Sequence, residues 1–147
     1  GLQVVPKNII GLFHQEPWQS VPHWEVFILN RDLTSGEPDN NFVFGLTDTS
    51  FPASIQSIRR LMVEISEPVL RASMVRRLLR HEVGHMFGLT NRSFNVEEKL
   101  GTHCTNICTM RQGMSVQEWA QQTMQEEKQG VHFCTDCQTE LNNSRFL

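Results

Sequence analysis

The feature that most constrains this chain is the segment His-Glu-Val-Gly-His at residues 81–85, which ends a long helical pattern. Apolar positions 74 and 78 lead into His81 and His85 at spacings of four, three and four residues. At these spacings the side chains share one face of a helix. A proline opens the segment and a glycine follows it, as is common at the two ends of a helix. The pattern therefore predicts a helix over residues 68–87.

The two histidines and the glutamate beside them are the residues that a hydrolytic zinc site requires. His81 and His85 lie one helical turn apart, so both imidazoles can bind the same ion. Glu82 can take a proton from water that the zinc activates. Gly88 lets the chain turn sharply, so that a third ligand can reach the ion from below the helix. The motif predicts a zinc-dependent hydrolase, and the alternative is a chance match on an ordinary helix.

Spacing alone does not identify the third ligand. The extended form of the motif places a histidine six residues after the second one, and Asn91, a poor zinc ligand, stands there. The downstream candidates are Glu97, Glu98 and His103. An acidic third ligand would make a gluzincin-like site, whereas a histidine would keep the metzincin arrangement with an insertion. Taken from the residues, both arrangements remain open.

Four cysteines form two close pairs late in the chain, and we predict that they bind a metal. Close pairs in a chain without a recognisable secretory signal favour metal ligation over disulfides. The alternative is two disulfides in a protein whose leader was removed. The four residues are Cys104, Cys108, Cys134 and Cys137.

Around the zinc helix, the patterns predict strands first and helices later. Residues 1–23 are predicted to form a strand and irregular chain, and residues 91–102 a polar loop. Residues 53–61 have the mixed face typical of a sheet edge. This order predicts an α/β (α+β) domain with a small C-terminal lobe. The other predicted elements are strands over 24–29 and 42–46 and a last helix over 115–129.

Composition and charge exclude two classes of partner. A net charge of −3 over 147 residues gives no strong attraction to nucleic acid or to membrane surfaces. No apolar run approaches the roughly 20 residues that span a bilayer, and residues 1–7 lack the zones of a signal peptide. We therefore expect a cytoplasmic monomer that binds neither nucleic acid nor membrane. Four arginines between positions 71 and 80 are interpreted as a solvated helix face.

In this combination of motifs the chain resembles the archaemetzincins. In that family the zinc helix is followed by His-Cys, then by Cys-x-Met, then by a distant Cys-x-x-Cys. The resemblance covers roughly residues 24–137, and residues 41–45 and 57–61 resemble the strand region of the family. Two intervals, 88–103 and 110–134, are longer than in typical members. The matching segments here are His103-Cys104, Cys108-Thr109-Met110 and Cys134-Thr135-Asp136-Cys137.

The resemblance implies a metzincin fold, with a twisted mixed sheet and the zinc helix behind it. It also implies two zinc ions. His103 would be the third ligand of a catalytic zinc beside His81 and His85, with Glu82 as general base. Met110 would form the turn beneath this zinc, and the four cysteines would bind a structural zinc.

The resemblance further implies a zinc metallopeptidase that acts on peptide or protein substrates. It points toward aminopeptidase-like action on short peptides, and the sequence leaves exo- and endopeptidase cleavage open. The substrate would add antiparallel to the edge strand at 53–61. We predict one domain over residues 1–147, with an upper lobe over 1–89 and a lower lobe over 90–147. The alternative is a zinc-stabilised binding module that kept the fold and lost activity. The intact Glu82 argues against that alternative, because a scaffold needs no base.

Overall fold

The computed structural model describes residues 3–13, 15–17, 21, 23–36, 42–48, 50 and 53–144. It has the mixed α+β architecture that the sequence predicts, with two small sheets and with helices before, between and after them in the chain. The elements are α1 (Pro6–Phe13), β1 (Glu25–Leu29), β2 (Gly45–Asp48), β3 (Ala53–Ser57), α2 (Arg59–Glu64), α3 (Pro68–Met86), β4 (Val96–Glu98), β5 (Thr102–Cys104), α4 (Val116–Gln129) and α5 (Thr135–Asn142).

The larger sheet has the strand order β1-β3-β2, so β3 is its central strand. β1 pairs with β3 in parallel and β2 pairs with β3 antiparallel. The prediction that residues 53–61 form the sheet edge is therefore wrong, and residues 59–64 belong to helix α2. Every residue of β3 is buried. Its polar side chains suggested solvent exposure, but inside the fold Ser54 Oγ accepts a hydrogen bond from Gln56 and lies 3.1 Å from Thr47 Oγ1.

The N-terminal segment also differs from its prediction, because a helix occupies residues 6–13 where irregular chain was expected. Ile10 of this helix is buried with Leu33 and Ile55 in one apolar cluster. A helix of two turns is marginal by itself, so packing against the sheet is what stabilises it. The predicted strand at 42–46 lies two to three residues later in the structure, since β2 extends through Asp48.

Helix α3 confirms the prediction of a helix over residues 68–87 to within one residue. The Glu67 carboxylate accepts hydrogen bonds from the backbone N–H groups of Val69 and Leu70, which caps the first turn. At the other end, Gly88 adopts a φ of 77°, a left-handed conformation that favours glycine. These local caps place the two helical histidines in the last turns of α3.

One arginine of α3 contradicts the interpretation of a solvated helix face. Arg77 is fully buried, and its Nε donates to Glu126 Oε2 of α4 at 3.0 Å. Its guanidinium also lies 3.9 Å from the centroid of the Trp119 ring. The Glu126 carboxylate in turn accepts from Arg80 at 2.9 Å, so a paired charge network joins α3 to α4.

The polar segment predicted as a loop forms the β4–β5 hairpin, with Glu97 opposite His103 in the register. Within the described ranges no helix combines the length and the apolarity needed to cross a membrane. The division into an upper lobe over 1–89 and a lower lobe over 90–147 stays a prediction.

Candidate metal centres

Three histidines, two from α3 and one from β5, bring one ring nitrogen each to a common point. The Nε2 atom of His85 lies 3.2 Å from Nε2 of His81 and 3.2 Å from Nε2 of His103. Tetrahedral zinc with Zn–N bonds of about 2.0–2.1 Å requires ligand nitrogens about 3.3 Å apart. The spacing of these nitrogens therefore matches a single tetrahedral ion, and the three residues are called the histidine cluster below.

Hydrogen bonds on the far side of two rings fix which nitrogen points inward. His81 Nδ1 lies 2.8 Å from the carbonyl oxygen of Thr109, and His103 Nδ1 lies 2.7 Å from that of Gly101. A carbonyl only accepts, so each Nδ1 carries the proton and each Nε2 keeps its lone pair for a metal. The rings are thus held in the tautomer that a metal ligand requires.

Burial keeps the histidine cluster neutral. It lowers the pKa of His81 well below its ordinary value, and the neighbouring His85 and His103 lower it further. It lowers the pKa of His85 to about 3, and it also lowers that of His103. Neutral imidazole is the form that binds a metal.

The other residues considered as third ligand lie elsewhere. Glu97 and Glu98 are exposed on β4, and the Glu98 carboxylate accepts a hydrogen bond from Thr102 Oγ1. Asn91 is exposed just beyond the end of α3. Among the residues that the structure describes, the group that converges here consists of the three histidines. The choice of His103 as ligand stays a prediction that this geometry supports.

Glu82 lies next to the histidine cluster, and contacts on strand β2 hold its carboxylate. Its Oε2 accepts a hydrogen bond of 2.7 Å from Thr47 Oγ1. Its Oε1 passes so close to Gly45 that a Cβ built there would lie only 2.4 Å away. Burial raises the pKa of Glu82 to about 7, against the smaller opposing effect of the Thr47 hydrogen bond. The carboxylate is therefore fixed in one position in a low-dielectric environment.

A cavity of about 710 Å³ opens beside these groups. Strand β2 forms one wall through residues 45–47, and the β4–β5 hairpin contributes residues 100–102. Glu82 and the histidine cluster line the same cavity. A molecule entering the cavity would meet the candidate base and the candidate metal ligands together.

Met110 packs against helix α3. It is completely buried, and a Cβ built on Gly84 would lie 2.4 Å from its Sδ atom. The absence of a side chain at Gly84 is therefore what lets the methionine approach the helix so closely. The sequence singled out Met110 through the family resemblance alone.

A second group of potential ligands lies on the other side of strand β5. Neighbouring side chains of a strand point to opposite faces, so His103 joins the histidine cluster while Cys104 points away from it. The sulfurs of the four cysteines lie within 4.8 Å of one another, and all four thiols are free. Cys104 Sγ and Cys134 Sγ are 3.7 Å apart, close to the roughly 3.8 Å expected for tetrahedral Zn–S bonds of about 2.3 Å. The four residues are called the cysteine cluster below.

Sequence reasoning missed the residues that support these groups. Thr47 lies just beyond the strand predicted over residues 42–46, yet its hydroxyl donates the hydrogen bond to Glu82. Glu126 accepts from Thr109 Oγ1 at 2.8 Å, and the carbonyl of Thr109 in turn holds His81. No local pattern marks either residue, because each acts through a partner far away in the chain.

No family model matches the chain. The chain is 31% identical over 101 residues to the archaemetzincin of Archaeoglobus fulgidus. The aligned region covers 69% of this chain and 50% of that protein. The chain thus spans about half the length of this curated relative.

Three solved structures are similar in fold. A crystal structure of archaemetzincin from Methanopyrus kandleri matches with a TM-score of 0.71 and 22% identity, covering 99% of this chain and 67% of that one. The archaemetzincin of A. fulgidus, in complex with malonate, matches with a TM-score of 0.64 and 24% identity, covering 94% of this chain and 69% of that one. A zinc-dependent peptidase from Methanocorpusculum labreanum matches with a TM-score of 0.59 and 23% identity, covering 89% of this chain and 60% of that one.

Proposed function

Because this chain is a relative of the archaemetzincins and has their fold, we propose that it is a zinc-dependent metallopeptidase. The observation that carries the proposal is the convergence of His81, His85 and His103 beside the buried Glu82. Three neutral imidazoles with one remaining position for water form the ligand set of a catalytic zinc site. A purely structural zinc site has four protein ligands and no adjacent base.

In the proposed reaction, His81, His85 and His103 would hold the zinc. When bound, zinc supplies a Lewis acid that polarises the scissile carbonyl and acidifies water. Glu82 accepts the proton of the attacking water and passes it to the amine nitrogen of the leaving group. Thr47 and Gly45 support this role, because they keep the carboxylate from rotating away from the cavity.

We further propose that the substrate adds as an antiparallel strand along β2. In the described sheet, β2 has β3 on one side, and its residues 45–47 line the cavity. An extended peptide can use the backbone groups of such an edge for recognition. This proposal replaces the prediction that the substrate adds along residues 53–61, since β3 is enclosed between two strands.

The test is metal analysis combined with a fluorogenic peptide library. We expect zinc in the purified protein, cleavage of library members, loss of cleavage with a chelator and recovery on adding zinc. Pairs of peptides with free and acetylated N-termini separate aminopeptidase-like action, which we propose for short peptides, from internal cleavage. Zinc-dependent binding of peptides without cleavage would favour the binding module. Substrate identity, a monomeric state and a cytoplasmic location stay predictions.

We propose that the cysteine cluster binds a second, structural zinc. Cys104, Cys108 and Cys137 are buried at the junction of the β4–β5 hairpin and α5. This part of the chain has a small apolar core formed largely by the cysteines themselves. Binding free energy at such a site becomes folding free energy.

The expected result for Cys137→Ser is loss of about one zinc equivalent and a lower melting temperature. A ligand present at about 1,000 times its Kd adds about 4 kcal/mol to the free energy of unfolding. For a chain of this length, that corresponds to a decrease in Tm of about 8–16 °C. Mass spectrometry of the native protein and calorimetry measure the two effects. Thr135→Ser, at an exposed position in the same helix, is the matched control. An unchanged zinc content in Cys137→Ser would contradict the proposed site.

A further inference from the structure

Arg92 enters the cysteine cluster from the segment between the zinc helix and β4. Its side chain is only 6% exposed. One terminal nitrogen, Nη2, lies 3.1 Å from Cys104 Sγ, and the other, Nη1, lies 3.4 Å from Cys137 Sγ. The guanidinium therefore spans two sulfurs, one from the hairpin and one from α5.

Each sulfur of the cysteine cluster is approached by an N–H donor. Cys108 Sγ accepts from the backbone N–H of Cys134, and Cys134 Sγ accepts from Asn106 Nδ2, each at 3.4 Å. Arg92 serves Cys104 and Cys137. Among the donors to these sulfurs in the described part of the chain, the backbone amide and the Asn106 amide are neutral. Arg92 contributes the positive charge.

The charge of the proposed centre explains why a cation belongs there. Four thiolates around one Zn²⁺ leave two negative charges in a largely buried position. A buried charge is costly unless it is paired and hydrogen-bonded. A guanidinium has several fixed donors and a weakly hydrated charge, so it can pair with two sulfurs at once.

The Arg92 side chain is held in place by groups around it. Its Nε donates to the carbonyl of Phe94 at 3.0 Å, and Nη1 forms an ion pair with the Glu140 carboxylate. Glu140 also accepts from the backbone N–H of Thr90 at 3.0 Å and from that of Arg92 at 3.1 Å. Glu140 lies nearer the surface than Arg92, with 19% of its side chain exposed. It thus orients the guanidinium toward the sulfurs from the outer side.

We propose that Arg92 is the charge-compensating residue of the cysteine cluster and slows the loss of its metal. The inference rests on the proposed binding of a metal by these cysteines. The proposal gives a role to the long segment between Gly88 and His103. Arg92, near its start, stabilises the cysteine cluster, and His103, at its end, belongs to the histidine cluster. Arg92 acts through Cys104 and Cys137 and does not touch the cavity, so it is a positioning residue.

Cobalt substitution of the full chain tests this proposal directly. Thiolate-bound Co²⁺ has a charge-transfer absorption in the near ultraviolet that imidazole-bound Co²⁺ lacks, so the signal reports the cysteine cluster separately. We expect Arg92→Gln to weaken Co²⁺ affinity at this signal by about 10–100-fold, the usual effect of removing a partner of a metal ligand. Transfer of the ion to a chelator should become faster in the same variant.

Three further variants separate charge compensation from mere ordering of the loop. Glu140→Gln removes a negative charge near the sulfurs but keeps the Arg92 donors on them. Charge compensation therefore predicts no loss of affinity, whereas mere ordering of the loop predicts a loss similar to that in Arg92→Gln. Arg92→Lys keeps the charge without the two-pronged geometry and should fall between wild type and Arg92→Gln. Arg59→Gln, at an exposed arginine of α2, should match wild type.

The outcomes divide clearly. If wild type shows no thiolate–cobalt absorption, the metal site and the role of Arg92 fall together. If wild type shows the absorption and Arg92→Gln has the same affinity and release rate, the metal site stands and the role of Arg92 is overturned. If Arg92→Gln does not fold by circular dichroism, Glu140→Gln decides: weaker affinity in this folded variant overturns the proposal, and affinity equal to or above that of wild type supports it.

Discussion

Glu82→Gln is expected to lower peptide turnover by about 10²–10⁴-fold, the usual contribution of a positioned general base, while zinc content stays at the wild-type level. Glutamine has nearly the same shape as glutamate, and its amide oxygen can still accept the hydrogen bond from Thr47. Proton transfer is therefore the one function removed. Turnover of a peptide that wild type cleaves, measured together with metal content, checks both parts of the expectation.

The matched control for this variant is Glu127→Gln, which neutralises an exposed glutamate of α4. Its turnover should equal that of wild type. Wild-type activity in Glu82→Gln would show that this carboxylate is not the base. Loss of zinc from Glu82→Gln would instead show that Glu82 contributes to metal binding, which the present arrangement does not require.

His103→Ala is expected to lose about one zinc ion per chain and all measurable peptidase activity. His103 is the one member of the histidine cluster that comes from outside α3, and its Nε2 lies 3.2 Å from that of His85. Without it, two imidazoles remain, which is one ligand fewer than catalytic zinc sites have. The thiolate–cobalt absorption of the cysteine cluster should persist in this variant, because Cys104 points to the opposite face of β5.

Asn91→Ala and Glu97→Gln are the comparison variants, since both residues were candidates for the third ligand. Each should keep the wild-type metal content, because both side chains lie exposed and outside the histidine cluster. If His103→Ala keeps its full zinc content, or if Glu97 or Glu98 is found coordinated to zinc, the site belongs to another class of zinc peptidase. The assignment of the catalytic ligands would then have to be revised.

The ends of the helices could be predicted from the sequence because their causes are local. Glu67 caps α3 through hydrogen bonds to residues two and three positions away. Gly88 and Gly130 end α3 and α4 in left-handed conformations that favour glycine. The Ser115 hydroxyl accepts from the backbone N–H of Glu118 at the start of α4. The relative positions of His81, Glu82 and His85 follow from helical geometry in the same way.

The prediction of the second half of the candidate site depended on the motif order of the family as well as on local chemistry. The order His103-Cys104, Met110 and the later cysteines indicated two groups of ligands through the family resemblance. The physical reason that adjacent residues serve different groups is the alternation of side chains along β5. The sequence predicted a loop over residues 91–102 and no strand at His103 and Cys104, so this alternation could be recognised only once the β4–β5 hairpin was known.

Only the tertiary structure decided which polar residues are buried and what they contact. Ser54 and Gln56 were expected at a sheet edge, yet β3 is central, because β1 and β2 both pair with it. Arg77 was expected in solvent, yet Glu126, 49 positions later, compensates its charge inside the fold. A single stretch of sequence indicates how polar a side chain is. Whether that side chain can be buried depends on a hydrogen-bonding partner that the long-range fold supplies.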